Sequence, residues 1–265
     1  GALKLDKLEH LVLDEADRML DMGFYDDIMK IVNYLPQKRQ TVMFSATMPP
    51  KIRKLAGTLL HEPEQISLAI SKPAEGINQQ VYLIHDSQKV PLLTELLKSA
   101  EYNRIIVFAG RKEQVKELGK VFRKLGLEAE AFHSDLEQQQ REAIMLDFKN
   151  GKCDVLIGTD VLSRGIDVTG IDLVINYDAP QDPEDYIHRI GRTARAATTG
   201  TAITFVNGKD KRRLANIEKL IERSIDRIPL PEYLGEAPIE EPVSERKLYY
   251  KKKKKPFYKK KPKSV

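Results

Sequence analysis

Short, continuously apolar segments alternate with amphipathic segments along most of this sequence, and this alternation restricts the possible folds more than any other feature. Segments such as Ile105–Phe108 and Val155–Ile157 contain no polar residue. Strands that are apolar on both faces are buried on both faces, which is typical of parallel sheets covered by helices. The pattern therefore predicts an α/β fold of the doubly wound type.

The predicted strands and helices follow one another in strict alternation. Strands are predicted at 10–14, 40–45, 78–84, 104–109, 153–158, 171–177 and 201–206. Helical periodicity predicts helices between them, at 24–34, 50–60, 88–99, 111–125, 137–149, 183–195 and 210–223.

A segment with the composition of a linker, residues 71–76, separates two unequal parts. Residues 77–225 contain enough strands and helices for a complete small domain, whereas residues 1–70 contain too few for a sheet of the same type. We therefore expect residues 1–70 to be the back part of a domain whose front is absent, and 77–225 to be a complete second domain. Residues 226–265 are expected to form a connector rich in proline and glutamate, followed by a lysine-rich tail.

The net charge of +5 combines two parts of opposite sign. Residues 246–265 contain ten lysines, one arginine and no acidic residue, which leaves residues 1–245 with a net charge of −6. Low hydrophobicity and high charge predict that this tail is disordered. Its lysines supply phosphate affinity and its interleaved aromatic residues offer base stacking, so RNA is one ligand that would suit it. A solubilising role and attraction to an anionic membrane are the alternatives.

The composition excludes several classes of protein. No apolar run approaches the roughly 18 residues of a membrane span. The single cysteine, Cys153, excludes a disulfide framework and a cysteine-based zinc site, and we expect it to be a buried apolar residue rather than a nucleophile. The N-terminus has no signal-peptide pattern, which predicts a cytoplasmic protein.

Acidic residues follow the first apolar segment. Asp14, Glu15 and Asp17 come at its carboxyl end, which is where α/β folds bind their ligands. In nucleotide hydrolases an aspartate at such a position holds the magnesium ion on the phosphates, and a neighbouring acid can orient the attacking water. A solvated turn whose acids stabilise the start of a helix is the alternative, and this stretch alone does not decide between them.

A second group of polar residues combines a helix start with several cations. Asp182 and the proline after it predict a helix N-terminus. If the helix continues to residue 195, spacings of four and three residues place His188, Arg192 and Arg195 on one face, with Arg189 about a quarter-turn away. Two guanidinium groups on one face are suited to grip a phosphoryl group as arginine fingers, and a salt-bridged surface helix is the alternative.

The segment Gly158–Asp167 directly follows a buried strand. Glycines in a loop at this position allow the backbone to approach a phosphate or a ribose closely. Taken alone, the segment is only a weak indication of such a contact.

Taken together, these motifs resemble those of the DEAD-box RNA helicases in order and rough spacing. The resemblance covers roughly residues 1–225, and the lysine-rich tail looks like those of several bacterial members. The motifs that carry it are Asp14-Glu15-Ala16-Asp17, Ser45-Ala46-Thr47, Thr159-Asp160 through Arg164-Gly165-Ile166-Asp167, and His188-Arg189-Ile190-Gly191-Arg192-Thr193-Ala194-Arg195.

The resemblance implies RecA-like domains that bind ATP, Mg²⁺ and RNA, with roles for the residues of the first part. Asp14 would coordinate the magnesium ion, largely through water, and Glu15 would position or activate the hydrolytic water. Asp17 would connect this site to Ser45-Ala46-Thr47, the motif that couples hydrolysis to strand separation in the family.

For the second part, the resemblance implies further contacts with the nucleotide. Asp167 would bind the ATP ribose. Arg192 and Arg195 would be the arginine fingers directed at the γ-phosphate, and His188 would help to hold the closed interface between the two domains.

The resemblance also implies which residues contact RNA. Gln138 and Arg141 match the Gln-x-x-Arg element of the family, and Thr159 and Gly165 match positions that contact the RNA backbone. Contacts of this kind go to phosphate and sugar, so RNA would be bound with little regard to its sequence.

Two departures from the family pattern limit these expectations. Arg111 occupies a position after the Val-Phe strand where the family usually has threonine or serine. The phosphate-binding motif G-x-x-x-x-G-K-[ST] does not occur in the sequence, and we expect it upstream of Gly1. We therefore expect this chain alone to hydrolyse ATP negligibly. The alternative is a non-catalytic RNA-binding module made of the second domain and the tail.

Overall fold

The structure is a computed structural model that describes residues 4–67, 76–98, 102–163, 168, 170–193 and 199–238. The chain divides into two compact units, residues 1–71 and 72–265. Most of the predicted linker and the whole lysine-rich tail lie outside the described residues. No helix in the described ranges is long and apolar enough to cross a membrane.

The first unit contains a two-stranded parallel sheet, β1 (His10–Leu13) and β2 (Gln40–Met43), in which His10 pairs with Gln40. A small apolar core forms between this sheet and the helices, with Leu13, Ile28, Leu55 and Leu59 at its centre. The helices that the structure describes in this unit are α1 (Ala16–Asp21), α2 (Tyr25–Asn33) and α3 (Pro50–Leu59).

The second unit is built on a seven-stranded sheet in which all pairs of neighbouring strands are parallel. Its strands are β3 (Ile77–Leu83), β4 (Ile105–Phe108), β5 (Ala129–Phe132), β6 (Val155–Gly158), β7 (Leu173–Asn176), β8 (Gly200–Val206) and β9 (Asp226–Arg227). Their spatial order is β5-β6-β4-β7-β8-β3-β9. Because the strands are parallel, they all end on one side, which we call the carboxyl edge of the sheet.

Helices cover both faces of this sheet. They are α4 (Asp86–Lys98), α5 (Lys112–Lys124), α6 (Gln138–Lys149), α7 (Pro183–Ile190) and α8 (Lys211–Ile221). Strand β4 shows the consequence: Ile105 and Val107 join an apolar cluster with α4 and α5, whereas Ile106 and Phe108 join another with Phe148 of α6. All four residues of this strand are buried, so the prediction of a parallel sheet covered by helices is confirmed.

Four elements differ from the sequence-based prediction. One is strand β9, which lies at the start of the predicted connector 226–265 and is held by its pairing with β3. Strand β5 was not predicted because its sequence, Ala-Glu-Ala-Phe, has little intrinsic preference for strands and is held by its pairing with β6. Helix α1 was missed because six residues are too few to show helical periodicity. The helix predicted at 183–195 is wrong at its end, since α7 stops at Ile190 and Gly191 is its C-cap.

A close contact between α5 and β5 gives a test of the packing. A Cβ atom built on Gly119 of α5 would lie 2.8 Å from the Cβ of Ala131, a side chain that has no rotamer to change. We expect Gly119→Ala to lower the free energy of unfolding, because overpacking costs about 1–3 kcal/mol and better helix propensity offsets only about 1 kcal/mol. Urea denaturation measures the change.

The neighbouring residue provides the matched control for this prediction. Lys120 is exposed on the same helix, so Lys120→Ala should change the free energy of unfolding by less than about 0.5 kcal/mol. A Gly119→Ala protein as stable as the wild type would contradict the described contact between α5 and β5.

Candidate nucleotide and nucleic-acid sites

The turn between β1 and α1 presents two carboxylates to solvent. Asp14 and Glu15 are both exposed, and the Asp14 carboxylate accepts a hydrogen bond from the Glu15 backbone N–H at 2.9 Å. Glu15 adopts a left-handed backbone conformation (φ 49°, ψ 46°), which is uncommon for a residue other than glycine. Such conformations cost about 1–3 kcal/mol and cluster at functional sites. The strained turn holds both acids just beyond the end of a strand.

Below these acids, Asp17 joins the turn to the loop after β2. The buried Asp17 carboxylate accepts hydrogen bonds from the Thr47 backbone N–H at 2.8 Å and from the Thr47 hydroxyl at 3.0 Å. The Ser45 hydroxyl accepts from the Asp17 backbone N–H at 3.2 Å and donates to the Thr47 carbonyl at 2.8 Å. The structure therefore brings Asp17, Ser45 and Thr47 into one hydrogen-bonded group, with Ala46 between them in sequence.

A magnesium ion is compatible with the β1–α1 turn. In the parts of the chain that the structure describes, no three His, Cys, Asp or Glu side chains come together as a metal cage. Mg²⁺ usually keeps several waters and binds one or two carboxylates together with phosphate oxygens, so it does not need such a cage. Asp14, exposed beyond the end of β1, provides a suitable single carboxylate.

Helix α7 begins as its sequence predicts. The Asp182 side chain accepts a hydrogen bond from the Glu184 backbone N–H at 2.9 Å, and proline occupies the first helical position, so the predicted N-cap is confirmed. The helix ends before Arg192, whose Nε donates to the His188 carbonyl at 3.2 Å. His188 and Arg192 therefore lie at the C-terminal end of α7, but not on a helical face that continues to residue 195.

Three residues that the family resemblance assigns to ligand contacts fall in segments beyond the described ranges. They are Gly165, Asp167 and Arg195. Their assignments as RNA contact, ribose contact and second arginine finger stay predictions.

Arg189, which sequence analysis left without a role, is almost completely buried, at 2% exposure. Its Nε and Nη2 atoms donate to the two carboxylate oxygens of Asp160 at 2.6 and 3.1 Å. Its Nη1 donates to the Asn176 side chain at 3.2 Å and to the Asp178 carbonyl at 3.1 Å. The guanidinium also lies 5.2 Å from the ring centre of Phe108. Arg189 thus joins α7 to the loop after β6 and to the ends of β4 and β7.

The residues predicted to contact RNA lie at the carboxyl edge of the sheet. Gln138 and Arg141 are in the first turn of α6, which follows β5, and Thr159 directly follows the neighbouring strand β6. Arg141 Nη2 donates to the Ser134 carbonyl at 2.8 Å, and Gln138 Nε2 donates to Glu142 at 2.8 Å. The fold therefore brings these three side chains to adjacent strand ends.

Two lysines that sequence analysis did not single out lie on the same side. Lys112 and Lys116, on the first turns of α5, both donate to the Asp135 carboxylate, which belongs to the loop between β5 and α6. These hydrogen bonds lower the pKa of Asp135 to about 2, and the one from Lys112 has the larger effect. We refer to Lys112, Lys116 and Asp135 as the lysine–aspartate cluster. Only the three-dimensional structure brings its members together, because 23 positions separate Lys112 from Asp135.

A buried ion pair fixes the loop after β4. Lys89, which is 2% exposed, donates to Asp178 Oδ1 at 2.8 Å, while the Gly110 backbone N–H donates to Asp178 Oδ2 at 2.9 Å. This arrangement holds the start of the loop that carries the exposed Arg111. Arg111, where the sequence departs from the family pattern, therefore directly follows a residue whose backbone is bound to Asp178.

Cys153 is buried, and its burial raises the pKa of the thiol to about 11. A thiol that stays protonated at neutral pH is a poor nucleophile. This agrees with its predicted role as a small apolar residue of the core.

Two family matches correspond to the two parts of the chain. Residues 2–55 match the DEAD/DEAH box helicase family, and residues 88–197 match the helicase conserved C-terminal domain. The first range contains Asp14 to Thr47, and the second contains the candidate RNA residues and α7.

Relatives with assigned activities cover most of this chain. It is 42% identical over 232 residues to the DEAD-box ATP-dependent RNA helicase CshA of Geobacillus kaustophilus, covering 87% of this chain and 50% of that protein. It is 43% identical to the CshA of Listeria monocytogenes, covering 86% of this chain and 44% of that protein. The chain thus spans about half of the length of these relatives.

Solved structures show the same fold. Dbp5 of S. cerevisiae bound to RNA and ADP BeF3 is 34% identical, with a TM-score of 0.79, and the match covers 86% of this chain and 61% of that one. The E. coli DEAD-box protein SrmB, bound to the regulator of ribonuclease activity A, is also 34% identical, with a TM-score of 0.58. That match covers 63% of this chain and 99% of the SrmB chain. With its motifs, its RecA-like parallel sheet and these relatives, the chain belongs to the DEAD-box family of RNA helicases.

Proposed function

We propose that this chain is part of an ATP-dependent RNA helicase. The helicase binds the RNA backbone and unwinds short duplexes when ATP drives closure of its two domains. In this proposal residues 1–70 are the C-terminal part of a first RecA-like domain and residues 77–225 are the second. The relatives named as ATP-dependent RNA helicases support the activity. The solved relative with RNA and ADP BeF3 supports both ligands.

One observation carries the RNA part of the proposal. Gln138 and Arg141 come from the first turn of α6 and Thr159 from the loop after β6, yet all three lie at the ends of the adjacent strands β5 and β6. An arginine, an amide and a hydroxyl can each donate hydrogen bonds to phosphate and sugar oxygens. RNA bound there would be held by its backbone, without strong sequence preference.

The nucleotide part of the proposal rests on the β1–α1 turn and on α7. Asp14 would hold Mg²⁺, which neutralises charge on the phosphates, and Glu15 would orient the attacking water. Arg192, at the end of α7, would contact the γ-phosphate, together with Arg195, and His188 would support the closed state. Asp167 would bind the ribose.

The second unit by itself supports an alternative, a non-catalytic RNA-binding module. It contains three of the four apolar clusters in the described residues and every described residue that we assign to RNA contact. In this alternative the lysine-rich tail, residues 246–265, would add sequence-independent phosphate affinity. RNA binding without ATP turnover, in any longer form of the protein, would favour this alternative.

We also propose that the protein is cytoplasmic. RNA and ATP are both found in that compartment, and the thiol of Cys153 is buried and unpaired with another cysteine. We propose no membrane partner.

Removal of one cation from the carboxyl edge tests the RNA contact. Arg141→Ala should weaken binding of a single-stranded RNA several-fold for every sequence tested. The slope of log affinity against log salt concentration should become less negative by about 0.7, because one phosphate contact is lost. Fluorescence anisotropy at several salt concentrations measures both quantities.

Lys124→Ala is the matched control for this substitution. It removes the same charge from the last residue of α5, which lies near the amino ends of the strands and not at the carboxyl edge. Equal losses of affinity in the two variants would mean that net charge, and not the proposed contact, determines RNA binding.

ATP turnover tests the nucleotide part. The sequence has no G-x-x-x-x-G-K-[ST] motif, and arginine fingers accelerate hydrolysis only of a nucleotide that is held. We therefore expect the 265-residue chain alone to release phosphate from ATP at the background rate, with or without RNA. RNA-stimulated turnover that Glu15→Gln abolishes would show that this expectation is wrong.

A further inference from the structure

In the lysine–aspartate cluster, two ammonium groups share one carboxylate. Lys112 Nζ lies 2.8 Å from Asp135 Oδ1, and Lys116 Nζ donates to the other oxygen of the same carboxylate. Each ammonium group binds one oxygen of the same anion. A phosphate group could take the place of this carboxylate, since it also offers several charged acceptor oxygens.

The cluster lies next to the residues that we assign to RNA. Asp135 is in the turn His133–Leu136, closed by a hydrogen bond from the Leu136 N–H to the His133 carbonyl at 3.2 Å. The carbonyl of Ser134 in the same turn accepts from Arg141. Lys112 begins α5 after β4, the other neighbour of β6. The cluster therefore extends the candidate RNA surface across three adjacent strand ends.

The cluster contributes little that the fold requires. The side chains of Lys112, Lys116 and Asp135 are 38%, 38% and 41% exposed, and exposed ion pairs add little to stability. Helix α5 is held instead by buried Val115, Leu118 and Phe122. Asp135 is therefore paired with two cations beside the candidate RNA surface, while the packing of α5 rests on other residues.

We propose that Lys112 and Lys116 form a phosphate site for RNA and that Asp135 occupies this site until an RNA phosphate displaces it. The inference rests on the proposed RNA binding and adds two contacts and a built-in competitor to it. Each phosphate must replace an intramolecular partner that is already in place, so the cluster lowers RNA affinity. The same competition favours release of the strand, since the carboxylate can recapture the lysines when the phosphate leaves.

Asp135→Asn separates this role from a structural one. The substitution keeps the shape of the side chain and suits a turn, but it removes the charge that pairs the lysines. We expect the variant to bind a single-stranded RNA several-fold more tightly. The slope of log affinity against log salt concentration should become more negative by about 0.7 for each lysine that gains a phosphate. The melting temperature should stay close to that of the wild type.

Asp147→Asn is the matched control, because it removes the same charge from a partly exposed acid near the end of α6. Asp147 pairs with Lys152 at 3.4 Å, on the opposite side of the sheet from the carboxyl edge. This variant should bind RNA as the wild type does. In a chain that also carries Lys112→Ala and Lys116→Ala, Asp135→Asn should give no gain in affinity, because no lysine remains to be freed.

The possible outcomes distinguish this inference from the proposed function. If the wild type binds RNA and Asp135→Asn leaves the affinity unchanged or lowers it, the inference is wrong and the RNA surface stands. An equal gain in Asp147→Asn, or a gain that persists without the two lysines, also overturns it, because net charge then explains the effect. If the wild type binds no RNA, the proposed function fails and the inference fails with it.

Discussion

The carboxyl edge of the second unit depends on the hydrogen bonds that the buried guanidinium of Arg189 donates. A buried arginine is costly unless its donors are paired, and here four donor–acceptor contacts reach Asp160, Asn176 and the Asp178 carbonyl. These partners belong to the loop after β6 and to β7 and its end, while Arg189 belongs to α7. One side chain thus fixes the positions of the loop that carries Thr159 and of the helix that carries His188.

The same side of the sheet combines rigid anchors with exposed cations. The buried Lys89 pairs with Asp178, which fixes the start of the loop after β4, whereas Lys112 and Arg141 remain partly accessible. Anchored loops present side chains in defined positions at little entropic cost on binding. This division explains how an acidic body binds RNA in our account: a few positioned cations make the contacts, although the net charge of residues 1–245 is −6.

Sequence patterns predicted the parts of the fold that depend on local signals. Continuous apolar strands such as Ile105–Phe108 and the N-cap at Asp182 carry such signals, and the structure confirms both. Strand β5 and the early end of α7 escaped prediction because pairing with β6 and the cap at Gly191 determine them. The motif residues could be found from the family resemblance, but the pairing of Arg189 with Asp160, and of two lysines with Asp135, could not. Those contacts join segments that only tertiary structure brings together.

Mapping of RNA on the folded chain tests the central claim, that RNA binds the carboxyl edge of the second unit. Backbone amide chemical shifts of the isotope-labelled chain would be recorded while a short single-stranded RNA is added. Our account predicts that the shifts concentrate in residues 109–116, 133–141 and 159–163, the segments that follow β4, β5 and β6. Shifts concentrated at the opposite side of the sheet, in residues 123–128 and 149–154, would contradict it.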